Sequence, residues 1–443
     1  MNSENSQVAI DLLIHPKWII PIEPTGVTLS DHALAVNDGR IVDVLPYDKA
    51  LERYSSREEL DLPGHVLLPG LVNLHTHAAM SLMRGYADDL PLTTWLTERI
   101  WPAEARHLTM DFVRTGTLLA CAEMLRGGIT TFNDMYFFPA AAVDAVRQSG
   151  MRAALGLVVL DHPTNYAADA DDYLSKGLTL RDACKDHPLL SFCLAPHAPY
   201  TVTDKTFEKI ATLSAQLELP IHTHLHETPN EIAESIKQYG VRPIQRLHTF
   251  GLLGPQFIAV HAVHLEAAEI DQLSHTGCHV ALCPTSNLKL GSGIPAISDI
   301  HQRGINFGLG TDGAASNNRL DIFQEMRLSA LLAKGVSEDA AALTAHQALQ
   351  AATLNGARAL GLDHQIGSLR PGKAADLCAV RIDDWMLQPC FDPASHLVYT
   401  AGRDNVTHTW VAGKLQMQEN LPSNIDVQQL LAHTNIWHNR LAY

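Results

Sequence analysis

The sequence predicts an α/β fold, a (β/α)8 barrel with a small accessory β-sandwich domain built from both termini. Three observations point there. Short apolar strands alternate with longer stretches of helical period from about Gly70 to about Gly367. β-like patterns flank that region on both sides, and His or Asp recurs where the strands end. A doubly wound sheet shares the alternation and is the structural alternative.

Taken in order, the first segment holds "AIDLLIHPKWIIPI", "HALAVNDGRIVDVLP" and "HVLLPGLVN", with the Asp-Gly of "NDGR" marking a tight hairpin turn. Eight strand candidates follow: "LVNLHTH", "GITTFNDM", "RAALGLVV", "LLSFCLAPH", "PIHTHLHE", "FIAVHAVH", "HVALCP" and "INFGLGTD". Between them lie helical patterns such as "TMDFVRTGTLLACAEMLRGG" and "TDKTFEKIATLSAQLE", the latter with Thr203 placed as an N-cap. The strand pattern returns in "GSLRPGKAADLCAVRI" and "VTHTWVAGKLQM", and the last twenty residues read as a helical tail. The expected division is 1–66 and 368–443 for the accessory domain, with the barrel at 67–367.

Composition narrows the function. A net charge of −16 with no basic cluster argues against nucleic acid or an anionic membrane as partner. No run reaches the roughly 18 apolar residues of a membrane helix, and the N-terminus lacks the basic and apolar regions of a signal peptide. Seven scattered cysteines without a C-x-x-C suit reduced thiols. A cytoplasmic protein is expected. The glycines of "GSGIPAISD" form no phosphate loop.

His75 and His77, in "LLPGLVNLHTHAAM", form a His-x-His pair. With 24 His in 443 residues, chance alone gives roughly one such pair. Context strengthens it. Two residues apart on a strand, both side chains face the same way, towards the barrel mouth. His197 ends the fourth candidate strand, His222, His224 and His226 lie along the fifth, His261 ends the sixth and Asp312 the eighth. Imidazoles and a carboxylate gathered at one mouth suit Zn²⁺ or Fe²⁺ with a position open for water. Spacing alone does not choose among His222, His224 and His226, which share a face, and Asp312 could instead cap a following helix.

"LLPGLVNLHTH", "HLHE", "VHAVHL", "CPTSNLKLGSG" and "GLGTDGAASNN" resemble the amidohydrolase superfamily, in its cytosine and adenosine deaminase-like branch. "LMRGYADDLPLTTWLTERIWPAEARHLT" is similar to the 5′-methylthioadenosine/S-adenosylhomocysteine deaminases. The resemblance implies one divalent metal, zinc or iron, on His75, His77, His224 and Asp312. It also implies substrate contacts at Glu104, His197, Glu227 and Asp312, with His261 beside the metal-bound water. The implied reaction is hydrolytic deamination at adenine C6 of a small purine nucleoside. In it Asp312 takes a proton from water, Glu227 protonates a ring nitrogen, His261 orients the attack and Glu104 meets the ribose. An arginine that some members carry after the third strand is missing from "GLVVLDHPT", which leaves an amino-acid tail without that partner.

Related barrels lead one to expect a homodimer or larger oligomer. Guanine, cytosine or a triazine as substrate is the alternative reading, and a non-catalytic metal-binding protein is the alternative of another class. "LAPHAPYTV" offers no lysine for a two-metal site, and no P-C-x-x-C supports the other zinc deaminase design. Trp95, Met80, Leu82 and Met83 read as packing more than as pocket, and Cys193 and Cys283 as core.

Overall fold

The computed structural model describes residues 7–442. Eight parallel strands follow one another around a barrel in chain order: β1 Leu71–Thr76, β2 Ile129–Tyr136, β3 Arg152–Val159, β4 Leu190–Pro196, β5 Ile221–Leu225, β6 Phe257–His261, β7 His279–Leu282 and β8 Asn306–Leu309. Every residue of β1, β2 and β3 is buried. That burial explains their apolar, non-alternating composition, since barrel strands pack against helices outside and side chains within.

The seam between β8 and β1 is closed mostly by polar groups. Asn73 accepts from the Thr311 N–H at 2.9 Å and donates to its hydroxyl at 2.8 Å. The Asp312 N–H donates to His75 O at 3.0 Å. These bonds bring the segment after β8 directly against the end of β1.

Strands from both ends of the chain share a single nine-stranded sheet. Val8–Ile19 lies at its centre, parallel to Tyr54–Pro69 and antiparallel to His32–Asn37. Leu377–Arg381 pairs with Tyr54–Pro69 and leads to the hairpin Val406–Val411/Lys414–Gln418. The sheet curls on itself: Arg40–Pro46, at one edge, meets the approach to Leu377–Arg381 through Ile41 N–H to Lys373 O and Gly372 N–H to Ile41 O, both 2.8 Å. Leu12, Ile14, Leu34, Leu67, Leu377 and Trp410 fill the interior so enclosed. At the "NDGR" turn Asp38 and Gly39 have φ of 48° and 72°, the paired positive values of a type I′ hairpin.

The sequence reading needs one correction. The strand Tyr54–Pro69 begins eleven residues before "HVLLP", and a helix, Tyr47–Arg53, precedes it. The polar "YSSREELDL" is strand because its backbone pairs with Val8–Pro16, not because one of its faces is apolar. The Trp95–Glu104 stretch runs through three short helical pieces, Leu92–Trp95, Leu96–Ile100 and Trp101–His107. Thr203 does stand at the N-cap of Asp204–Leu217, yet its hydroxyl makes no cap bond. Asp161 instead accepts from the Thr203 N–H and the Thr206 hydroxyl.

Candidate active site

A cavity of about 430 Å³ opens where the strands end. His77, His197, His224, Glu227, His261 and Asp312 line it at depth, and Leu92, Trp95, Leu96, Ile100, Leu108 and Leu160 give it an apolar surround. Met80 joins the lining, whereas Leu82 and Met83 are buried outside it.

Four groups from β1, β5 and the segment after β8 converge. Asp312 Oδ1 lies 3.3 Å from His75 Nε2 and 3.3 Å from His77 Nε2, and His77 Nε2 lies 3.3 Å from His224 Nε2. A tetrahedral ion with bonds of roughly 2.0–2.1 Å has ligand–ligand edges of about 3.3–3.4 Å. The donor set therefore has the spacing of a zinc-sized hole. A second observation agrees: His75 Nε2 is buried and makes no hydrogen bond of good geometry. His261 reaches the same cluster from β6, its ring nitrogen, like those of His75 and His224, within 4.8 Å of the others.

Neighbours aim these rings. His77 Nδ1 lies 2.6 Å from Met135 O and His224 Nδ1 lies 2.6 Å from His197 O, so each Nδ1 carries the proton and each Nε2 presents a lone pair. His75 Nδ1 meets His222 Nε2 at 3.0 Å. Burial holds His75 down to about 4 and His224 and His222 well below the usual imidazole range, which keeps them neutral and able to ligate. The three candidates on and after β5 are thereby separated. His222 backs His75 from deeper in the barrel. His226, just past the strand with φ of 54°, is turned away, its Nε2 accepting from Ile244 N–H at 3.2 Å. His224 alone of the three lines the cavity.

Asp312 also sits at positive φ, 60°. Its Oδ2 accepts from Ser286 and Ser316 hydroxyls at 2.6 and 2.8 Å, and its Oδ1 from Gly313 N–H at 2.8 Å. Burial works to raise its pKa, but the close contact with His75 Nε2 and the surrounding imidazoles of His77, His75 and His261 outweigh it and hold the carboxyl well below its usual range. Glu227 is its opposite. Burial and the Asp312 carboxylate push it up to about 8, and its Oε2 lies 3.8 Å from His261 Nε2. His261 is fixed by Nδ1 to Asn287 Oδ1 at 2.8 Å. His197 rests on the Thr201 hydroxyl at 3.0 Å, burial lowering its pKa to about 3.

Glu104 stands at the far wall, on Trp101–His107, and accepts from the Tyr136 hydroxyl at 2.7 Å. Burial raises it to about 7, an effect that bond opposes. The sequence reading missed Tyr136, although it ends β2 as His261 ends β6. Asn165 escaped it too. Its amide donates to the Ala105 and Leu108 carbonyls and ties the loop after β3 to the helix bearing Glu104.

The model of the amidohydrolase family matches residues 66–416. The chain belongs to the amidohydrolase family. Among curated amidohydrolases it is 46% identical to a 5-methylthioadenosine/S-adenosylhomocysteine deaminase of Teredinibacter turnerae, over 98% of each chain. It is 43% identical to one of Saccharophagus degradans, over 97% of each. Among solved amidohydrolases, an adenosine deaminase from Xanthomonas campestris with bound zinc superposes with a TM-score of 0.97 at 46% identity, covering 98% of this chain and 99% of that one. Guanine deaminase of E. coli, at 24% identity and a TM-score of 0.81, shares the fold. No helix among the described residues of this amidohydrolase is long and apolar enough to cross a membrane.

Proposed function

We propose that this amidohydrolase is a zinc-dependent hydrolytic deaminase of adenine nucleosides, with 5′-methylthioadenosine as its preferred substrate. One observation carries the reading: His75, His77, His224 and Asp312, spaced for a zinc-sized ion, stand beside Glu227 at one cavity, where burial and the Asp312 carboxylate push the Glu227 carboxyl up to about 8. The names of the relatives at 46% and 43% identity support the same chemistry.

In this reading His75, His77, His224 and Asp312 hold the ion. When bound, it supplies Lewis acidity and a water acidified towards neutrality. Asp312 takes a proton from the attacking water. His261, whose Nδ1–H is committed to Asn287, presents the Nε2 lone pair and orients that water. Glu227 gives its proton to the ring nitrogen beside C6, so that no unpaired negative charge builds on the ring as aromaticity breaks. Asp312 passes the water proton to the C6 amine, which leaves as ammonia, and the C6 hydroxyl proton returns to Glu227 as the carbonyl forms, so one water is consumed and the inosine analogue results. Glu104, steadied by Tyr136, accepts from ribose hydroxyls, and His197 borders the substrate near the metal.

The wall supports the choice of nucleoside. No lysine or arginine lines the cavity among the described residues, while Leu92, Trp95, Leu96 and Ile100 do. A methylthio group matches that surface, and the charged tail of S-adenosylhomocysteine finds no lysine or arginine there. The same reading treats 67–367 as the catalytic unit and takes the protein to be a homo-oligomer, which light scattering of the wild-type protein would check.

The test is ammonia release by zinc-loaded protein offered methylthioadenosine, adenosine, S-adenosylhomocysteine, guanine and cytosine in parallel. Methylthioadenosine should lead in kcat/KM, with guanine and cytosine silent. Turnover of guanine or cytosine alone, or of no amine at all, overturns the reading.

A further inference from the structure

Glu231 is buried, 6% exposed, and lies outside the cavity lining, yet both its carboxylate oxygens are committed. Oε1 accepts from the His226 N–H at 2.9 Å and Oε2 from the Glu227 N–H at 2.8 Å. It occupies the third position of the helix Pro229–Tyr239, whose N-cap, Thr228, accepts from the Glu231 N–H. In an ordinary capping box a glutamate there reaches back to the N–H of the N-cap itself. Glu231 passes over Thr228 and takes the two preceding N–H groups instead. Helix capping does not account for that choice.

The two N–H groups belong to the peptides on either side of His226, and they fix the backbone that carries Glu227. This backbone needs fixing, because His226 is held at φ of 54°, a region costly for a residue with a Cβ. The Glu227 carboxylate itself accepts no hydrogen bond among the described residues, and His261 Nε2 is its one basic neighbour, at 3.8 Å. Its aim into the cavity therefore rests on the backbone beneath it.

We propose that Glu231 is a positioning residue for the reaction: it clamps the His226–Glu227 backbone so that the Glu227 carboxyl meets the substrate ring nitrogen. This rests on the reading of Glu227 as proton donor. A glutamine at 231 keeps the shape but can accept only one of the two N–H groups, and it turns its own amide hydrogens on the other. Displacements on the scale of 1 Å at a reacting group cost up to about 100-fold in rate.

The experiment is a double-mutant cycle on zinc-loaded enzyme with methylthioadenosine, using Glu231→Gln, Glu227→Gln and both together. The expected result is a fall in kcat of roughly 10- to 100-fold for E231Q with KM within about threefold and full zinc content. In the E227Q background the second change should lower kcat no further, since the group it positions is gone. An unchanged kcat in E231Q, or an equal further loss in the E227Q background, overturns the positioning role. Wild-type activity in E227Q alone would instead overturn the reading of Glu227. If E231Q does not fold, Glu231→Asp, which keeps the charge on a shorter arm, replaces it in the same cycle. Failure of both to fold while E227Q folds would assign Glu231 to the fold and sink the proposal.

Discussion

Glu227 and Asp312 are two carboxyls in one cavity driven in opposite directions, and the proposed reaction turns on that difference. The proton on Glu227 is present below its folded pKa of about 8 and lost above it. A bound divalent cation stabilises the carboxylate and moves the value down. Activity should therefore fall along an alkaline limb in kcat/KM at or below about pH 8, and E227Q should lack that limb. The same variant should bind zinc normally and lose about 100- to 10,000-fold in kcat, the usual range for a general acid. Near wild-type turnover by E227Q would remove the residue from the chemistry. Tyr136→Phe tests the far wall. It deletes a 2.7 Å donor to Glu104, and leaving a buried acceptor without its partner costs about 1–3 kcal/mol. The expected effect is roughly 10- to 100-fold in kcat/KM, carried mainly by KM in steady-state kinetics; an unchanged KM would detach Glu104 from the ribose. These residues differ in how far the sequence shows them. His75, His77 and Asp312 are legible because a polar residue closing an apolar strand is conspicuous. Tyr136 is not, because tyrosine ends strands for packing as readily as for chemistry. Glu231 acts through two backbone N–H groups and leaves no pattern at all.

At the scale of elements, the eight barrel strands could be read because buried parallel strands are apolar runs bounded by polar ends. The accessory strand Tyr54–Pro69 was half hidden. Its first residues are largely exposed on their side chains and are strand only by pairing with Val8–Pro16. What the pattern did not reveal either is how closely β8 must run against β1. A Cβ on Gly310 would lie 2.8 Å from His75 Cβ and 2.9 Å from His75 N. That glycine lets the chain carry Asp312 to within 3.3 Å of two imidazoles. Gly310→Ala should cost about 1–3 kcal/mol of stability, as overpacking does, and should also weaken zinc binding by separating β1 from the segment after β8. Thermal unfolding and metal titration measure the two effects. A destabilised variant that still binds zinc at wild-type affinity would show that the ligand set does not depend on this contact.

Across the whole molecule the site is tied to parts of the chain remote in sequence. Chelation should lower both activity and the unfolding temperature, because an ion held by groups from β1, β5 and the segment after β8 binds only the folded chain. Added zinc should restore both, and an unfolding temperature indifferent to chelator would place the ion off these residues. The C-terminal helix Val427–Leu441 makes the longer connection. Trp437, 4% exposed, stands edge-on to Phe112 with ring centroids 5.2 Å apart. Both belong to one apolar cluster with Met80, Trp95, Ile100 and Tyr136, four residues that also line the cavity. The wall opposite the metal cluster is thus held from behind by the last helix of the chain. Trp437→Ala should cost about 3–5 kcal/mol, the range for deleting a buried aromatic ring. It should also raise KM, since the helical pieces from Leu92 to His107 lose their backing, while kcat per bound zinc stays near wild type because the ligands lie on the barrel. A loss of stability with KM untouched would mean that the cavity wall stands without the C-terminal helix. A fall in kcat at full zinc occupancy would mean that the helix reaches the chemistry itself.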